Sequence, residues 1–467
     1  MVFADLFFLY LFLPVCLIFY FIKKDILYRN VILIVFSLIF YAWGEPVWIV
    51  LLLFSTVINY YFGRMIGRYN GRRAAKLVTA LSVLLNLALL GTFKYTGFLV
   101  SNINTLFSAS FPVPQFALPL GISFYTFKAI SYTVDCCWEK VEPEQSFSRF
   151  LLFMTLFPQV TQGPIVRYSI IGEELAVRNT KMEDIRIGIG RIITGLAKKV
   201  ILADTIGNVV SDFFSQGISG LSVAGTWYGA FMFALQIYFD FSGYSDMAVG
   251  LGRIFGFHFN ENFNYPFICK SITEFWQRWH ISLSTFFRDY VLYLPIFGKR
   301  RQYLNLFLVW FCTGLWHGAN YNYIIWGLYF GVFILIERLI TKKRMNRAPK
   351  LLLHIYTKLV LVIGFGIFYF EDFGELGHFF KNIIGISGNP LIDEVTKNSF
   401  MNHIYLIAAA IVVCIPVIPW LKNRIAHSRP LLLAGQTAEL VCHIALLLIC
   451  SIMLVNATNH PFLYVQW

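Results

Sequence analysis

The stretch LNLFLVWFCTGLWHGANYNYIIWGLYFGVFILI (304–336) decides the fold. Two apolar runs, 304–312 and 323–336, flank the island TGLWHGAN (313–320), in which His317 stands between Trp316 and Gly318. Runs of this hydrophobicity belong in a bilayer, where an ionisable side chain is costly and marks a functional candidate by default. Lys299, Arg300 and Arg301 precede the pair, and Lys342, Lys343, Arg344, Arg347 and Lys350 follow it. Basic clusters stay in the cytoplasm. Segments 302–317 and 323–340 therefore form a hairpin that enters from the cytoplasm and turns back with HGANYN (317–322) at its tip. The tip is about 16 residues, roughly 24 Å of helix, from the basic end. His317 is expected deep in the protein, facing a cavity.

Composition extends this reading to the whole chain of 467 residues. It is 58% hydrophobic and 13% charged, against about 25% charged in a soluble domain, so it is a polytopic membrane protein. The net charge of +13 comes from clusters beside apolar spans, whose partner is the anionic leaflet of membrane lipid. No basic patch accompanies a soluble fold, which argues against nucleic acid. The first run, 3–22, has neither a basic leader nor a small-residue cleavage site and reads as a retained span. Eight scattered cysteines without CxxC spacing give no disulfide framework and no metal site.

Further spans are expected at 31–43, 46–62, 76–92, 223–241, 323–340, 351–370, 403–420 and 438–455. Segments 115–135, 149–166, 186–204 and 302–317 are shorter or interrupted by Gly and Pro. The sum is an all-α membrane domain over 1–467, with about eleven transmembrane helices plus re-entrant or interfacial pieces. With the basic clusters in the cytoplasm, both termini and the acidic loop 371–400 face outward.

Three further polar islands stand out. In SITEFWQRWHISLSTFFRDYVLYLP (271–295), Trp276, Trp279, Leu283, Phe287 and Tyr290 recur every three or four residues, which predicts one amphipathic helix at the headgroup boundary. Arg278, His280 and Ser282 interleave with that face, and by spacing alone His280 is interface filling. In YFDFSGYSDMAVGLGRIFGFHFNENFNYPF (238–267), Asp240 and Asp246 close an apolar span with Ser242 between them. Buried acids need partners. Pairing with Arg253 or a helix cap after Gly243 is favoured over a metal-binding pair, for which no further ligand cluster exists. FPQVTQGPIVRY (157–168) is either a helix end or a re-entrant turn.

At these islands the chain resembles the membrane-bound O-acyltransferase family. WQRWHISLSTFFRDY (276–290) and TGLWHGANYNYIIWG (313–327) carry the resemblance. YFDFSGYSDMAVGLGRIFGF (238–257), NFNYPF (262–267), FPQVTQGPIVRY (157–168) and LPLGISFYTFKAISYTVD (118–135) fit its bacterial branch. That branch holds the membrane subunits of alginate and peptidoglycan O-acetylation systems and the related teichoic-acid D-alanylation protein. The resemblance implies a helical ring around a central tunnel, a cytoplasmic thioester donor such as acetyl-CoA, and no bound cofactor. It implies an extracytoplasmic SGNH-type acetyltransferase partner, an envelope polysaccharide as acceptor, and residence in the bacterial cytoplasmic membrane. It makes His317 catalytic, with His280 as a second catalytic position, and puts Trp276, Arg278, Ser282, Trp316, Asn320, Asp240, Ser242 and Asp246 along the tunnel. The ending NHPFLYVQW (459–467) resembles a tail whose tyrosine carries the acyl group transiently, matching Tyr464, with Trp467 in place of the usual Phe. An aromatic anchor at the membrane interface is the other reading of that tail.

The chemistry needs few groups. A hydroxyl attacking a thioester must lose a proton, which neutral imidazole accepts near neutral pH. The developing oxyanion calls for donors such as Asn320, Trp316 or a backbone N–H. A transporter would also bury such groups, but the halves of the chain show no repeat. A scaffold for a secreted enzyme would not require both histidines. The charge pattern makes a first prediction: a reporter fused after Arg344 reads cytoplasmic and one at the C-terminus reads extracytoplasmic. A cytoplasmic C-terminus would remove any outward handover by Tyr464.

Overall fold

The computed structural model describes residues 1–215, 217–295, 299–340, 347–425, 427–455 and 462–463. The protein is all-helical and divides into two compact units, Met1–Ile192 with Tyr244–Glu261, and Ile193–Gly243 with Asn262–Leu463.

The first unit opens with three apolar helices, α1 (Ile26–Gly44), α2 (Ile49–Arg68) and α3 (Arg73–Phe107). Asp25 starts α1 by accepting the Tyr28 N–H at 2.7 Å, which satisfies one of the donors a helix start leaves open. Buried amides join α2 to α3: Asn59 donates to Asn86 at 3.1 Å and accepts from it at 2.8 Å. Helix α4 (Ile122–Cys137) carries Lys128, 0% exposed, whose ammonium donates to the carbonyls of Phe153 and Met154. Those carbonyls close the helix Phe147–Thr155, whose last carbonyls have no partner within the helix. The chain then makes one turn at Phe157–Val160 and continues without helix through Gly163, all of it buried. Gly163 sits at φ 97°, and an added Cβ would lie 2.9 Å from the Tyr244 ring. The stretch 157–168 is therefore irregular backbone enclosed by protein, the condition under which such backbone is tolerated in an apolar setting.

Helix α5 (Val223–Ile254) begins in the second unit, and its residues from Tyr244 onward belong to the first. It is buried on nearly all sides, as an all-round apolar helix must be. The expected hairpin is present as α6 (Gln302–His317) and α7 (Tyr321–Leu339), followed by α8 (Lys350–Tyr369). Its turn is three residues long, and Asn320 caps α7 by accepting the Tyr321 N–H at 2.6 Å. Glycine sets how closely the arms approach. An added Cβ at Gly314 would strike the Tyr323 carbonyl, and one at Gly327 the Trp310 carbonyl, so the arms lie backbone to backbone, as small residues permit.

Among the described residues, six helices are long and apolar enough to cross a membrane: α1, α2, α3, α7, α8 and Pro430–Val455. The pair Ile404–Val413 and Val417–Ile425, bent by 57°, makes a seventh if counted as one span. The protein is a multi-pass membrane protein. The other expected spans are shorter, broken or more polar: Phe8–Ile22 is a short apolar helix, and α6 has 16 residues.

Three expectations are corrected. Segment 403–420 is not one straight span, because Pro416 lacks an N–H and disfavours helix at Ile415. Segment 371–400 is not simply an acidic loop. It contains helices Phe373–Ile383 and Glu394–Asn402, and Asp372 and Asp393 are their caps, accepting from Glu375 N at 3.0 Å and Thr396 N at 2.7 Å. Segment 271–295 is not one helix either. It is a short helix Ile272–Trp276, a turn, a second helix Ile281–Phe287 and a π-wound end, Arg288–Leu292.

The close approach at the hairpin is testable. Gly314→Ala forces backbone apart and is expected to cost about 1–3 kcal/mol, lowering the temperature at which detergent-extracted protein loses its monodisperse elution. Gly377→Ala, in a helix with open space around it, should be neutral or stabilising by up to about 1 kcal/mol. Equal melting of Gly314→Ala and wild type would show that the arms are not in backbone contact.

Candidate active site

The hairpin turn brings the two motif histidines to one indole. Trp316, buried, has its ring centroid 5.0 Å from that of His317 and 5.7 Å from that of His280. His317 ends α6 and is half-buried. Its imidazole also stands edge-to-face with Trp326 at 4.8 Å and Phe368 at 5.2 Å. The ring is thus held on three sides by aromatic surface. Phe368 is set in turn by the hairpin, because Asn322 donates to its carbonyl at 3.1 Å. Tyr323 donates to Glu371 Oε1 at 2.6 Å, and that residue's carbonyl lies 3.5 Å from Asn320 Nδ2.

His280 reaches Trp316 because the expected helix breaks at it. Glu337 of α7, buried, accepts the N–H groups of Ile272 and Thr273 at 2.6 and 2.8 Å and so anchors the start of Ile272–Trp276. The chain then turns, and His280 adopts φ 43° and ψ 53°, a left-handed conformation uncommon for a residue with a side chain. The turn is clamped by backbone bonds from Ile281 N to Asn262 O and from Asn264 N to Arg278 O, both 2.9 Å. His280 is 1% exposed, with the Phe241 ring edge-to-face at 4.6 Å. It is no headgroup-level filling residue.

The tautomer of His280 follows from its partners. Asn262 Oδ1 accepts the Ser282 N–H at 3.2 Å and the Ser282 hydroxyl at 2.9 Å, and lies 3.2 Å from His280 Nδ1. A backbone N–H can only donate, so the amide atom facing the site is oxygen. His280 Nδ1 therefore carries the proton, and Nε2 carries the lone pair. Burial pushes this imidazole down to about 3, which keeps it neutral throughout the physiological range.

The other expected site residues distribute as follows. Ser282 joins His280 through Asn262, and Asn320 stands at the turn. Trp276 is buried against Trp310, Trp326 and Phe330, so it supports the Trp326 wall of the His317 cage. Arg278 pairs with Glu274 at 3.0 Å and leans outward. Asp240 and Ser242 lie on the part of α5 that belongs to this unit. Asp240 pairs with Lys199 at 2.7 Å rather than with Arg253, and α5 runs unbroken through Gly243, so no cap forms there. Asp246 lies in the first unit, where Arg191 Nε donates to it at 3.0 Å, while Arg253 faces Asp184 at 3.6 Å. Tyr464 lies outside the described residues. The residues that sequence reasoning did not single out are Asn262, Phe241, Trp326, Phe368 and Glu337. Asn262, Phe241 and Trp326 carried a signal, being inside the quoted motifs; Phe368 and Glu337 lie outside them.

Comparison with known proteins adds to this geometry. Residues 47–370 match the model of the membrane-bound O-acyltransferase family. The chain is 41% identical over 381 residues to a probable alginate O-acetylase of Pseudomonas aeruginosa, covering 80% of this chain and 72% of that protein. It is 32% identical over 459 residues to a peptidoglycan O-acetyltransferase of Helicobacter pylori, covering 88% and 87%. It is 31% identical over 272 residues to a teichoic acid D-alanyltransferase of Bacillus subtilis, covering 53% and 68%.

The buried neutral imidazole predicts an acid sensitivity with a definite sign. Unfolded histidine titrates near 6.5, so between that pH and about 3 the unfolded chain binds a proton that the folded chain does not. Stability therefore falls as pH drops through this window. From pH 7 to 5 the wild type should lose about 2 kcal/mol that His280→Asn, a residue tolerant of the left-handed backbone, does not lose. Thermal melting of both proteins in detergent checks this. Equal pH dependence would mean that His280 titrates as an exposed histidine does.

Proposed function

The chain belongs to the membrane-bound O-acyltransferase family, and from that premise we propose that it carries an acetyl group from a cytoplasmic thioester onto an exported or envelope polysaccharide. It is an O-acyltransferase; the acetyl group, the acceptor class and the residue roles are the proposal, as are its work as one catalytic domain and its seat in the bacterial cytoplasmic membrane. The observation that carries it is the pair of motif histidines against Trp316, with His317 caged by aromatic rings at the end of α6. The acetylating relatives align over much more of the chain than the D-alanylating one, which favours acetyl and a glycan acceptor.

In this reading His317 is the general base. It takes the phenolic proton of Tyr464, and the phenolate oxygen attacks the thioester carbonyl. The tetrahedral intermediate expels the thiolate, which receives the proton back from the His317 imidazolium. The tyrosyl ester then passes its acyl group to a hydroxyl outside, with the SGNH-type partner, and the phenol is restored. A phenol, with a pKa of about 10, is a far easier proton donor for imidazole than a sugar hydroxyl. His280, held as the Nδ1–H tautomer, keeps its place beside Trp316 without acquiring charge. The donor, acetyl-CoA or another thioester, stays on the cytoplasmic side throughout, and no bound cofactor takes part.

His317→Ala should accumulate in the membrane yet lose about 10² to 10⁴ in acyl transfer. Mass spectrometry of the C-terminal peptide should find an acyl adduct on Tyr464 in the wild type and none in the variant. Near-normal acylation by His317→Ala would remove the assignment of the base. Full activity in Tyr464→Phe would leave direct transfer to the acceptor as the better account.

A further inference from the structure

The tail residues Phe462 and Leu463 meet a buried charge cluster. Lys199 Nζ lies 2.7 Å from Asp204 Oδ1 and 2.7 Å from Asp240 Oδ1. Lys199 and Asp240 are each at most 2% exposed, so neither charge is met by water. The second carboxylate oxygen of Asp240 accepts the backbone N–H of Leu463 at 3.0 Å. Phe462 is 0% exposed, and its ring centroid is 4.8 Å from the Lys199 ammonium. The tail thus presents a donor to the anion and an aromatic ring to the cation.

We propose that Lys199 and Asp240 form a docking latch for the C-terminal tail and act as positioning residues for Tyr464. This rests on the reading of Tyr464 as acyl carrier. The physical reason begins with charge. Asp240 is charged and buried, and a buried carboxylate oxygen without a donor is costly. The Leu463 N–H supplies a charge-assisted bond, stronger than one between neutral groups. A cation facing an aromatic ring away from water gains further. The contact reads the tail through its backbone and one ring. It therefore tolerates variation at the side chain of Leu463 but not loss of its N–H.

The latch is one residue along α5 from a contact of His280. Phe241, the residue after Asp240 on α5, packs its ring against His280 at 4.6 Å. Tyr464 follows Leu463 directly in sequence, so a latch on Leu463 would tether the residue proposed as acyl carrier. Holding the nucleophile there replaces a search by a flexible tail with a fixed approach, an advantage of orientation rather than of binding. Loss of the latch should then lower kcat and leave the KM for the donor unchanged.

Two measurements on the full-length protein in detergent test this. Hydrogen exchange of the Leu463 amide, referenced to the free peptide NHPFLYVQW, should be slowed at least tenfold in the wild type. That protection should vanish in Asp240→Ala and partly return in Asp240→Asn, whose amide oxygen still accepts. Kinetics supply the second arm and do not depend on Asp240→Ala folding. Leu463→Pro, which has no N–H, should lose at least tenfold in kcat relative to Leu463→Ala, which keeps the N–H, with unchanged donor KM. A Leu463 amide that exchanges at the peptide's rate overturns the docking. Leu463→Pro transferring acyl groups as fast as Leu463→Ala overturns the positioning role. The exchange arm involves no acyl chemistry, so its failure is distinct from a failure to find the Tyr464 adduct.

Discussion

One amide oxygen, Asn262 Oδ1, organises the centre of this protein. It faces the Ser282 N–H, the Ser282 hydroxyl and His280 Nδ1 together. An imidazole taken out of water must have its proton placed by its neighbours, since it cannot exchange tautomers with solvent freely. Asn262 places that proton, and the same residue's carbonyl accepts from Ile281. One residue therefore holds both the ring and the strained backbone beneath it. The left-handed conformation of His280 persists because its surroundings determine it on every side, which is where such conformations occur.

The same requirement, that a polar group in an apolar interior be met by protein, shapes the rest of the chain. At several helix ends a side chain answers the freed backbone groups. Lys128 meets the carbonyls at the end of Phe147–Thr155, and Glu337 meets the amides at the start of Ile272–Trp276. Asp372 and Asp393 do so at the start of the helices that follow them. The ionisable residues on apolar elements are accordingly few, and most have a local structural duty that must be subtracted before a functional one is claimed. His317 keeps its claim after that subtraction. Trp316, Trp326 and Phe368 pack around its ring, and none of them needs an imidazole for packing.

What could be read from the sequence follows from the range of each signal. The hairpin 302–340 was legible because its evidence is local: apolar runs, a three-residue polar turn and basic clusters at both ends. The break at His280 was not legible. The three-or-four spacing of Trp276, Trp279, Leu283, Phe287 and Tyr290 is what a continuous helix would show, and all five are buried. Burial on more than one side satisfies the same pattern without a single face. Partner choice was also hidden. Asp246 and Arg253 are seven residues apart, yet Arg191, far away in sequence, takes the carboxylate. Long-range pairing of charges leaves no periodic trace. The motifs identified the histidines, while Phe368 and Glu337, which build the walls and the anchor, lie on elements whose apolar pattern says only that they are helices.

The two histidines stand at opposite kinds of helix end. His280 immediately precedes the helix Ile281–Phe287, whose first turn presents N–H groups and partial positive charge. His317 is the last residue of the 16-residue α6, where unpaired carbonyls present partial negative charge. A base becomes a cation at the moment it works. A helix C-terminus accommodates that cation, whereas a helix N-terminus opposes it. The Asn262 clamp on His280 adds to the asymmetry, because its Nδ1–H is already committed to a neutral acceptor and the ring is sealed from water. Two residues of one type, sharing one indole, thus sit in opposite backbone surroundings, in keeping with the proposal that His317 accepts the proton and His280 stays neutral.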